Sequence, residues 1–351
     1  MPKTLDTTFA IPEHNVAETH VLDLLGGMVR TRPLSGEEAY QKLLDLEARA
    51  QGNDPQAKTD YARYLLTHEQ NATNNRKAVR LLKKALPHEH PETLYLWGLV
   101  LMRGQGQTRQ PEVALEFFER TALLGHVNAQ ADLARALAEG IGTEKDPKKA
   151  LYWYRLAGAA GHHFSQRQAG LAYKNGEGTP VDRHEAKKWL TLAAQVADPI
   201  AQYELARLFS EPNDEEHSRE EADKWLREAA LSGKINAQYR LGIAYWVGRG
   251  QRVDLREALR WTSRAAENGD TRALTTLAGF FQTGTILPIN RFKAYILLKA
   301  ASAHGDLTAK NSLPSLDRLL TFREKREAAR LVRHYSDLKS LVELVLPRQD
   351  R

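Results

Sequence analysis

Two histidine clusters are the residues of this sequence whose types suggest metal chemistry. His88 and His90 flank Glu89, and His162 precedes His163. A helical zinc site of the metalloprotease kind needs two histidines four residues apart on one helix face, and neither cluster has that spacing. Both clusters also fall where turns between helices are predicted. We therefore predict surface histidines and no metal site.

Glycine pairs could be mistaken for phosphate-binding loops. A dinucleotide fingerprint needs a third glycine and a preceding strand, whereas these pairs follow helical patterns and recur at regular intervals. Structural turns are therefore the better interpretation. The Gly-x-Gly elements include Gly104/Gly106, Gly140/Gly142, Gly176/Gly178 and Gly248/Gly250.

Paired carboxylates are the last catalytic candidates. Glu215-Glu216 lies in a predicted loop, and Glu220-Glu221 begins a predicted helix, where acidic residues favour the helix dipole. No nucleophile, base and orienting group can be read together from the sequence. The sequence thus predicts a non-enzymatic protein with no catalytic residue, no cofactor and no metal.

Composition excludes several further classes of protein. The chain has 351 residues and no cysteine, which removes disulfides, thiolate metal sites and cysteine nucleophiles. Its net charge of +6 is small, and its basic residues are interleaved with acidic ones, so we expect no nucleic-acid partner. The longest apolar run, Leu94–Met102, is far shorter than the ~20 residues that cross a bilayer, so we expect no membrane insertion. The first thirty residues lack a basic start followed by an apolar core. We therefore expect a cytoplasmic protein, or a periplasmic one if a signal peptide was removed.

A repeat of 36 residues organises most of the chain. Small residues, here called anchors, recur in this register, and an alanine follows each of the first seven anchors by 21 positions. An apolar or aromatic residue stands three positions further on, and its register places it in the core. The anchors are Ala57, Thr93, Ala129, Ser165, Ala201, Ala237 and Ala273, with an eighth at Ala309.

Each unit of the repeat reads as two helices. Ala237–Tyr245 has small and apolar residues at helical spacing, and Gly248 then ends the pattern. A second helix runs through Trp261 and closes at Gly269, where glycine suits a helix end. One unit cannot bury its own apolar face, so stacked units share a continuous core. The pattern predicts an all-α chain that forms one elongated stack.

The pattern resembles the Sel1-like repeat family, a relative of the tetratricopeptide repeat. The best matches are Ala129–Ala160 and Ala237–Gly269, while the first and fifth units depart from the family in their loops. The resemblance implies a right-handed superhelical α-solenoid of about seven 36-residue helix-turn-helix repeats with terminal capping helices. It also implies a protein-binding adaptor.

The two ends of the chain depart from the repeat. We predict a flexible N-terminal arm over residues 1–35, an N-terminal capping helix over 36–56, seven repeats over 57–308 and C-terminal capping helices over 309–351. Pro314 is expected to break the pattern where an eighth unit would begin. The arm either packs on the first repeat or binds a partner or the groove. The closing helices either cap the stack or form a dimer surface. Residues 1–56 carry a net charge of −4 and residues 309–351 one of +4, so the two ends either favour head-to-tail association or are simply solvated.

By analogy with tetratricopeptide repeats, the first helix of each unit lines a concave groove. The inward positions are then −1, +2, +6, +9 and +10 relative to each anchor. Arginine and the aromatic residues at these positions are typical of binding hot spots. The alternative is that the arginines pair with acidic residues such as Glu139, Glu204 and Glu211. The predicted groove residues are Arg63, Tyr95, Met102, Arg103, Arg135, Arg167, Lys174, Tyr203, Arg207, Tyr239 and Trp246.

The predicted function is that of an adaptor or scaffold. Its groove would bind an extended peptide or protein segment with acidic and apolar side chains. A bacterial envelope or exopolysaccharide-export scaffold in the periplasm, and a regulatory subunit of a signalling or enzyme complex, remain alternatives. If the groove binds through free arginines, replacing Arg135 and Arg207 by Glu should abolish binding with little change in melting temperature.

Overall fold

The computed structural model describes residues 36–68, 71–212, 216–249, 252–335 and 337–346. The predicted arm over residues 1–35 lies outside the described residues. Within the described ranges the regular structure is helical throughout, with one 3-10 turn at Leu86–His88 and no strand. The eighteen helices are α1 (Gly36–Gln51), α2 (Pro55–His68), α3 (Ala72–Ala85), α4 (Pro91–Arg103), α5 (Pro111–Leu123), α6 (Val127–Glu139), α7 (Pro147–Ala159), α8 (His163–Asn175), α9 (Arg183–Gln195), α10 (Pro199–Phe209), α11 (Arg219–Leu231), α12 (Ile235–Val247), α13 (Leu255–Glu267), α14 (Thr271–Thr283), α15 (Arg291–Ala303), α16 (Leu307–Asp317), α17 (Phe322–His334) and α18 (Leu338–Val345).

Helices α2 to α15 form seven antiparallel pairs that follow the predicted register. All eight anchors are at most 1% exposed, because each lies where neighbouring helices meet. The predicted α-solenoid is therefore confirmed. In the aromatic column, Trp153, Trp189 and Trp261 are buried. The indole N–H groups of Trp189 and Trp261 each donate to a glutamate one helical turn earlier, Glu185 and Glu257.

Close contact within a pair depends on glycine at two of the crossing points. A Cβ added at Gly98 would stand 2.7 Å from the Phe118 ring. At Gly242 it would stand 2.5 Å from the Thr262 hydroxyl oxygen and 2.9 Å from the Thr262 backbone nitrogen. Such separations are shorter than van der Waals contact, so these crossings have no room for a side chain.

A column of buried glutamines joins consecutive pairs. The side-chain amide of each donates to a backbone carbonyl eight residues earlier, at the end of the preceding helix. Each of these carbonyls lies at a helix end and also accepts the backbone N–H three residues later, so the glutamine adds a second hydrogen bond there. The donors are Gln130, Gln166, Gln202 and Gln238, and the acceptors are Ala122, Gly158, Ala194 and Ala230.

The described contacts group into two compact units, one that ends at Leu192 and one that begins at Ala193. The sequence predicted one elongated stack, but in a repeat array each element packs only on its neighbours, so contacts need not form one cluster. The first unit buries Leu82, Leu94 and Phe118. The second unit has a large cluster around Leu277 and a smaller one around Leu241.

The described terminal helices pack on the repeats next to them. Helix α1 packs on α2, and α18 packs on α13 and α15, burying Leu341 and Val342 completely. The expectation that Pro314 interrupts the pattern is wrong, because α16 begins in register, buries Ala309 and continues through Pro314. Proline removes one backbone donor and opposes longer extension, and the helix ends three residues later at Asp317.

Candidate functional site

The first helices of neighbouring pairs lie side by side in each unit, and we call the surface they form the first-helix face. In the first unit it comprises α2, α4, α6 and α8, and in the second α10, α12 and α14. The Thr59 and Thr93 hydroxyls join α2 to α4 at 2.7 Å, and Tyr239 joins α12 to α14 through Thr276. Both faces carry polar side chains.

Arg63, Glu92 and His126 form a polar chain across α2, α4 and the start of α6. Arg63 Nη2 lies 2.9 Å from Glu92 Oε1, and His126 Nε2 lies 3.0 Å from Glu92 Oε2. His126 Nδ1 accepts from the Ala129 backbone N–H, so the ring proton is on Nε2, which donates to Glu92. Burial alone would raise the pKa of Glu92, but the His126 hydrogen bond and the Arg63 charge hold it below its usual value.

A second cluster centres on Asp132, whose side chain is only 7% exposed. The Tyr95 hydroxyl donates to Oδ2 at 2.9 Å, and Arg135 Nη2 donates to Oδ1 at 2.9 Å. Arg103, at the end of α4, is half-buried, and its charge acts on both Asp132 and Arg135. Arg103 Nη2 is buried and has no hydrogen-bond partner among the described residues.

Burial sets the protonation behaviour of this cluster. It raises the pKa of Asp132, which Arg135, Tyr95 and Arg103 oppose without reversing the shift. Burial and the negative charge of Asp132 raise the pKa of Tyr95 well above its ordinary value, so the hydroxyl stays protonated and donates. Burial also lowers the pKa of the Arg103 guanidinium, which still carries its charge at neutral pH.

The remaining predicted residues of the first unit differ in exposure. Met102 and Lys174 are half-buried. Arg167 is 8% exposed, with its guanidinium carbon 5.0 Å from the centre of the Phe164 ring. Tyr95 is 3% exposed. Tyr95 and Arg167 therefore support the face from below and offer little surface to a partner.

The second unit holds the other four predicted residues. Lys234 and Arg240 lie over the Tyr203 ring, 6.0 and 5.7 Å from its centre. Arg272 lies 4.7 Å from the centre of the Tyr239 ring. Trp246 is 37% exposed, with one edge against Phe280 on the next first helix. Arg207 is exposed and pairs with Glu204 at 3.1 Å.

The structure pairs three arginines that the sequence allowed to be free. Arg63, Arg135 and Arg207 all contact carboxylates, but only Arg207 uses one of the acidic residues named from the sequence, Glu204. The pairing of Arg135 with buried Asp132 argues against the expectation that Arg135→Glu leaves the melting temperature almost unchanged. That substitution would place a second carboxylate against buried Asp132 and remove one of its donors.

Three acidic or titratable residues of these networks escaped the sequence-based prediction. Glu92 occupies position −1, which the register predicts to face inward, so an acidic residue there was an available signal. Asp132 stands at +3, outside the predicted positions. His126 precedes its helix, and the register gives no reason to place its ring on Glu92.

The histidine clusters form helix caps. His90, His126 and His162 stand in the 36-residue register, and each accepts a backbone N–H at the start of a first helix. His162 is only 9% exposed, so the expectation that it lies on the surface is wrong. In the part of the chain that the structure describes, no three His, Cys, Asp or Glu side chains are grouped to hold a metal ion.

His162 and Ser165 superficially resemble the base and nucleophile of a hydrolase, with 2.9 Å between Nδ1 and Oγ. Ser165 is completely buried, however, and the same nitrogen accepts the Ser165 backbone N–H as a helix cap. Substrate has no access to this hydroxyl. Among the described helices, none is both long and apolar enough to cross a membrane.

Comparison with known proteins is consistent with this architecture. The Sel1 repeat model matches residues 59–86, 91–126, 127–162, 163–197, 199–234, 235–270 and 272–306. A Sel1 repeat protein from Oxalobacter formigenes is similar in structure, with a TM-score of 0.59 and 25% identity over 70% of this chain and 99% of that one. Comparison with curated protein sequences gives no match.

Two further solved structures are similar at lower scores. One is c5321, described as a protective antigen of uropathogenic Escherichia coli with an SLR fold, at a TM-score of 0.38 and 20% identity over 86% of this chain and 80% of that one. The other is the immunity protein Pa5087 from Pseudomonas aeruginosa, at 0.33 and 22% over 64% of this chain and 80% of that one. Sel1 repeat proteins are typically protein-interaction scaffolds and generally non-enzymatic. With seven matched repeats in register, the chain belongs to the Sel1 repeat family.

Proposed function

We propose that the chain is a non-enzymatic scaffold whose first-helix face binds an extended segment of a partner protein. The observation that carries this proposal is the alignment of charged and aromatic side chains from consecutive first helices on one face. In the first unit, the Arg63–Glu92–His126 chain extends across three first-helix positions. An extended segment could contact several such helices in turn.

The exposed residues of the face favour a protein partner over a small molecule. Arginine, tyrosine and tryptophan are enriched at the energetically dominant positions of protein interfaces. Trp246 and Arg207 present such groups in the second unit, and Met102 adds an adaptable apolar contact in the first. A cytoplasmic location stays a prediction.

Site-specific photo-crosslinking tests which face binds. A photoreactive phenylalanine analogue replaces Met102 or Arg207 on first helices, and Tyr152 or Leu231 on second helices. The last two are matched controls because they are 56% and 57% exposed and lie outside the first-helix face. The full chain is expressed in its native cells, illuminated and purified under denaturing conditions.

We expect a crosslinked partner from the first-helix positions and none from the second-helix controls. Mass spectrometry of the crosslinked peptide then shows whether the bound segment is extended and where it contacts the face. A partner that crosslinks only at Tyr152 or Leu231 would contradict the proposal.

A further inference from the structure

We infer that Arg103 and Arg135 form a subsite for a carboxylate of the bound segment, on the exposed side of the Asp132 cluster. The carboxylate belongs either to an Asp or Glu side chain or to the C-terminus of a peptide. This inference rests on the proposed function, because it assigns a ligand chemistry to one part of the first-helix face.

The first step of the argument is charge. Two guanidinium groups, of Arg103 and Arg135, act on the single carboxylate of Asp132, so this cluster carries one surplus positive charge. Arg63 on the same face contacts two carboxylates, Glu92 and Asp60, so it adds no positive charge to this cluster. Glu139 is exposed, and the carboxylate that Arg135 contacts is that of Asp132. A ligand with one negative charge would neutralise the cluster.

The second step is hydrogen bonding. Asp132 takes one donor on each oxygen, from Tyr95 and Arg135, and so holds the Arg135 side chain in place. Arg103 Nη2 receives no acceptor from the described residues although it is buried. A buried donor without an acceptor costs free energy. Because Nη2 itself is inaccessible, a ligand oxygen would recover this free energy only when the half-buried Arg103 side chain turns towards the exposed side of the cluster. The Arg135 side chain is 22% exposed and has further N–H groups for the same ligand.

The third step is selectivity for a carboxylate. Guanidinium groups present planar pairs of donors that match carboxylate geometry. A doubly charged phosphate would exceed the surplus positive charge and would approach Asp132. Met102, the neighbour of Arg103 on α4, offers an apolar contact for a side chain next to the carboxylate. The cluster is thus suited to an acidic residue with an apolar neighbour.

The test uses the full chain and four capped tripeptides as probes. They are N-acetyl-Leu-Glu-Leu-amide, N-acetyl-Leu-Gln-Leu-amide, N-acetyl-Leu-Gln-Leu with a free carboxylate, and N-acetyl-Leu-phosphoSer-Leu-amide. The NMR signal of the Arg103 Nε–H group reports occupancy directly on the wild-type protein. Arg103→Gln removes the charge, and Arg120→Gln is the matched control, because Arg120 is exposed and pairs with Glu89 elsewhere in the first unit.

We expect the glutamate amide, the free-carboxylate peptide or both to shift the Arg103 signal, and the glutamine amide to leave it unchanged. Which of the two binds identifies the source of the carboxylate. Arg103→Gln should weaken that binding at least about tenfold, while Arg120→Gln retains it.

Three outcomes would overturn the subsite. They are equal binding of all the tripeptides, an Arg103 signal that responds to none of them, and tighter binding of the phosphoserine peptide than of either carboxylate. If Arg103→Gln disturbs folding, the comparison of probes on the wild-type chain still decides the question. Crosslinking from Met102 without carboxylate binding would refute this subsite alone. Loss of crosslinking from the first-helix positions would refute the proposed function.

Discussion

Polar residues at equivalent positions of different repeats have the same structural role in this protein. The N-cap column illustrates this, because His90, His126 and His162 cap first helices in the first unit, while Asp270 and Asp306 do so in the second. A histidine in such a position contributes a hydrogen-bond acceptor only while its capping nitrogen is unprotonated. Stability therefore becomes linked to pH where the histidine is buried.

His162 is the residue at which this linkage should be measurable. Burial, with a smaller contribution from the charge of His163, lowers its pKa to about 4 from an ordinary 6.5. The unfolded chain then binds more protons than the folded chain between these values, so stability is full near pH 7 and falls as the pH drops through 6.5 towards 4. Between about pH 7 and 5, this site should cost about 2 kcal/mol.

Substituting His162→Asn retains a capping side chain and removes the titration. We expect the free energy of unfolding in urea to fall less for this variant than for the wild type when the pH is lowered from about 7 to 5. The two proteins differ only at position 162, so the difference in pH dependence is assigned to that position. Parallel pH dependences of the two proteins would show that the cap is not protonation-sensitive.

At the scale of elements, the two helices of a pair pack closely where they cross, and hydrogen bonds from the glutamine column join one pair to the next. Gly242 and Gly279 make a matched comparison, because both lie inside first helices of the second unit. The first faces Thr262 at the crossing with α13, whereas nothing stands within 4 Å of a Cβ added at the second. The same substitution should therefore have opposite effects at the two positions.

We expect Gly242→Ala to lower the free energy of unfolding by about 1–3 kcal/mol, because the added methyl group forces α12 away from Thr262. Gly279→Ala should raise it by up to about 1 kcal/mol through better helix propensity. Urea denaturation followed by circular dichroism measures both. A destabilised Gly279→Ala, or an unchanged Gly242→Ala, would contradict the packing argument.

At the scale of the whole molecule, charge is the property that selects the class of partner. The net charge of +6 is spread over a 351-residue chain whose first 56 residues are net acidic. Several arginines of the first-helix face are already paired with carboxylates. Self-association through the oppositely charged ends stays a prediction that light scattering at low and high salt can test.

Nucleic acid should bind weakly and without specificity. In fluorescence anisotropy with single-stranded and duplex probes, any binding near 50 mM salt should be lost by about 200 mM, because it would rest on counterion release. The acidic tripeptide provides the comparison, since the Arg103 cluster is partly buried and is screened less by salt. Tight nucleic-acid binding that persists at the higher salt would reverse this assignment.

Periodicity made the fold readable from the sequence. Helix pairing, the buried anchors and the tryptophan column follow from local spacing, since one 36-residue unit repeats the same packing problem. The glutamine column carried a signal too, because a polar residue recurring next to a buried anchor requires a partner. The C-terminal end of the repeat pattern was harder to predict from the sequence. Helix α16 extends through Pro314 because its earlier turns already pack in register.

The sequence by itself therefore determined the helical repeat, its register and which helices share a face. Only the tertiary structure decided which groups on that face are paired, buried or without an acceptor. Tyr95 and Arg103 come from one repeat, and Asp132 and Arg135 from the next. The repeat register fixes where each residue lies along the backbone. Which side chains then form hydrogen bonds or ion pairs depends on how far they extend and how deeply they are buried between helices. For that reason Arg135 is anchored on Asp132, while Arg103 Nη2 is buried without an acceptor among the described residues.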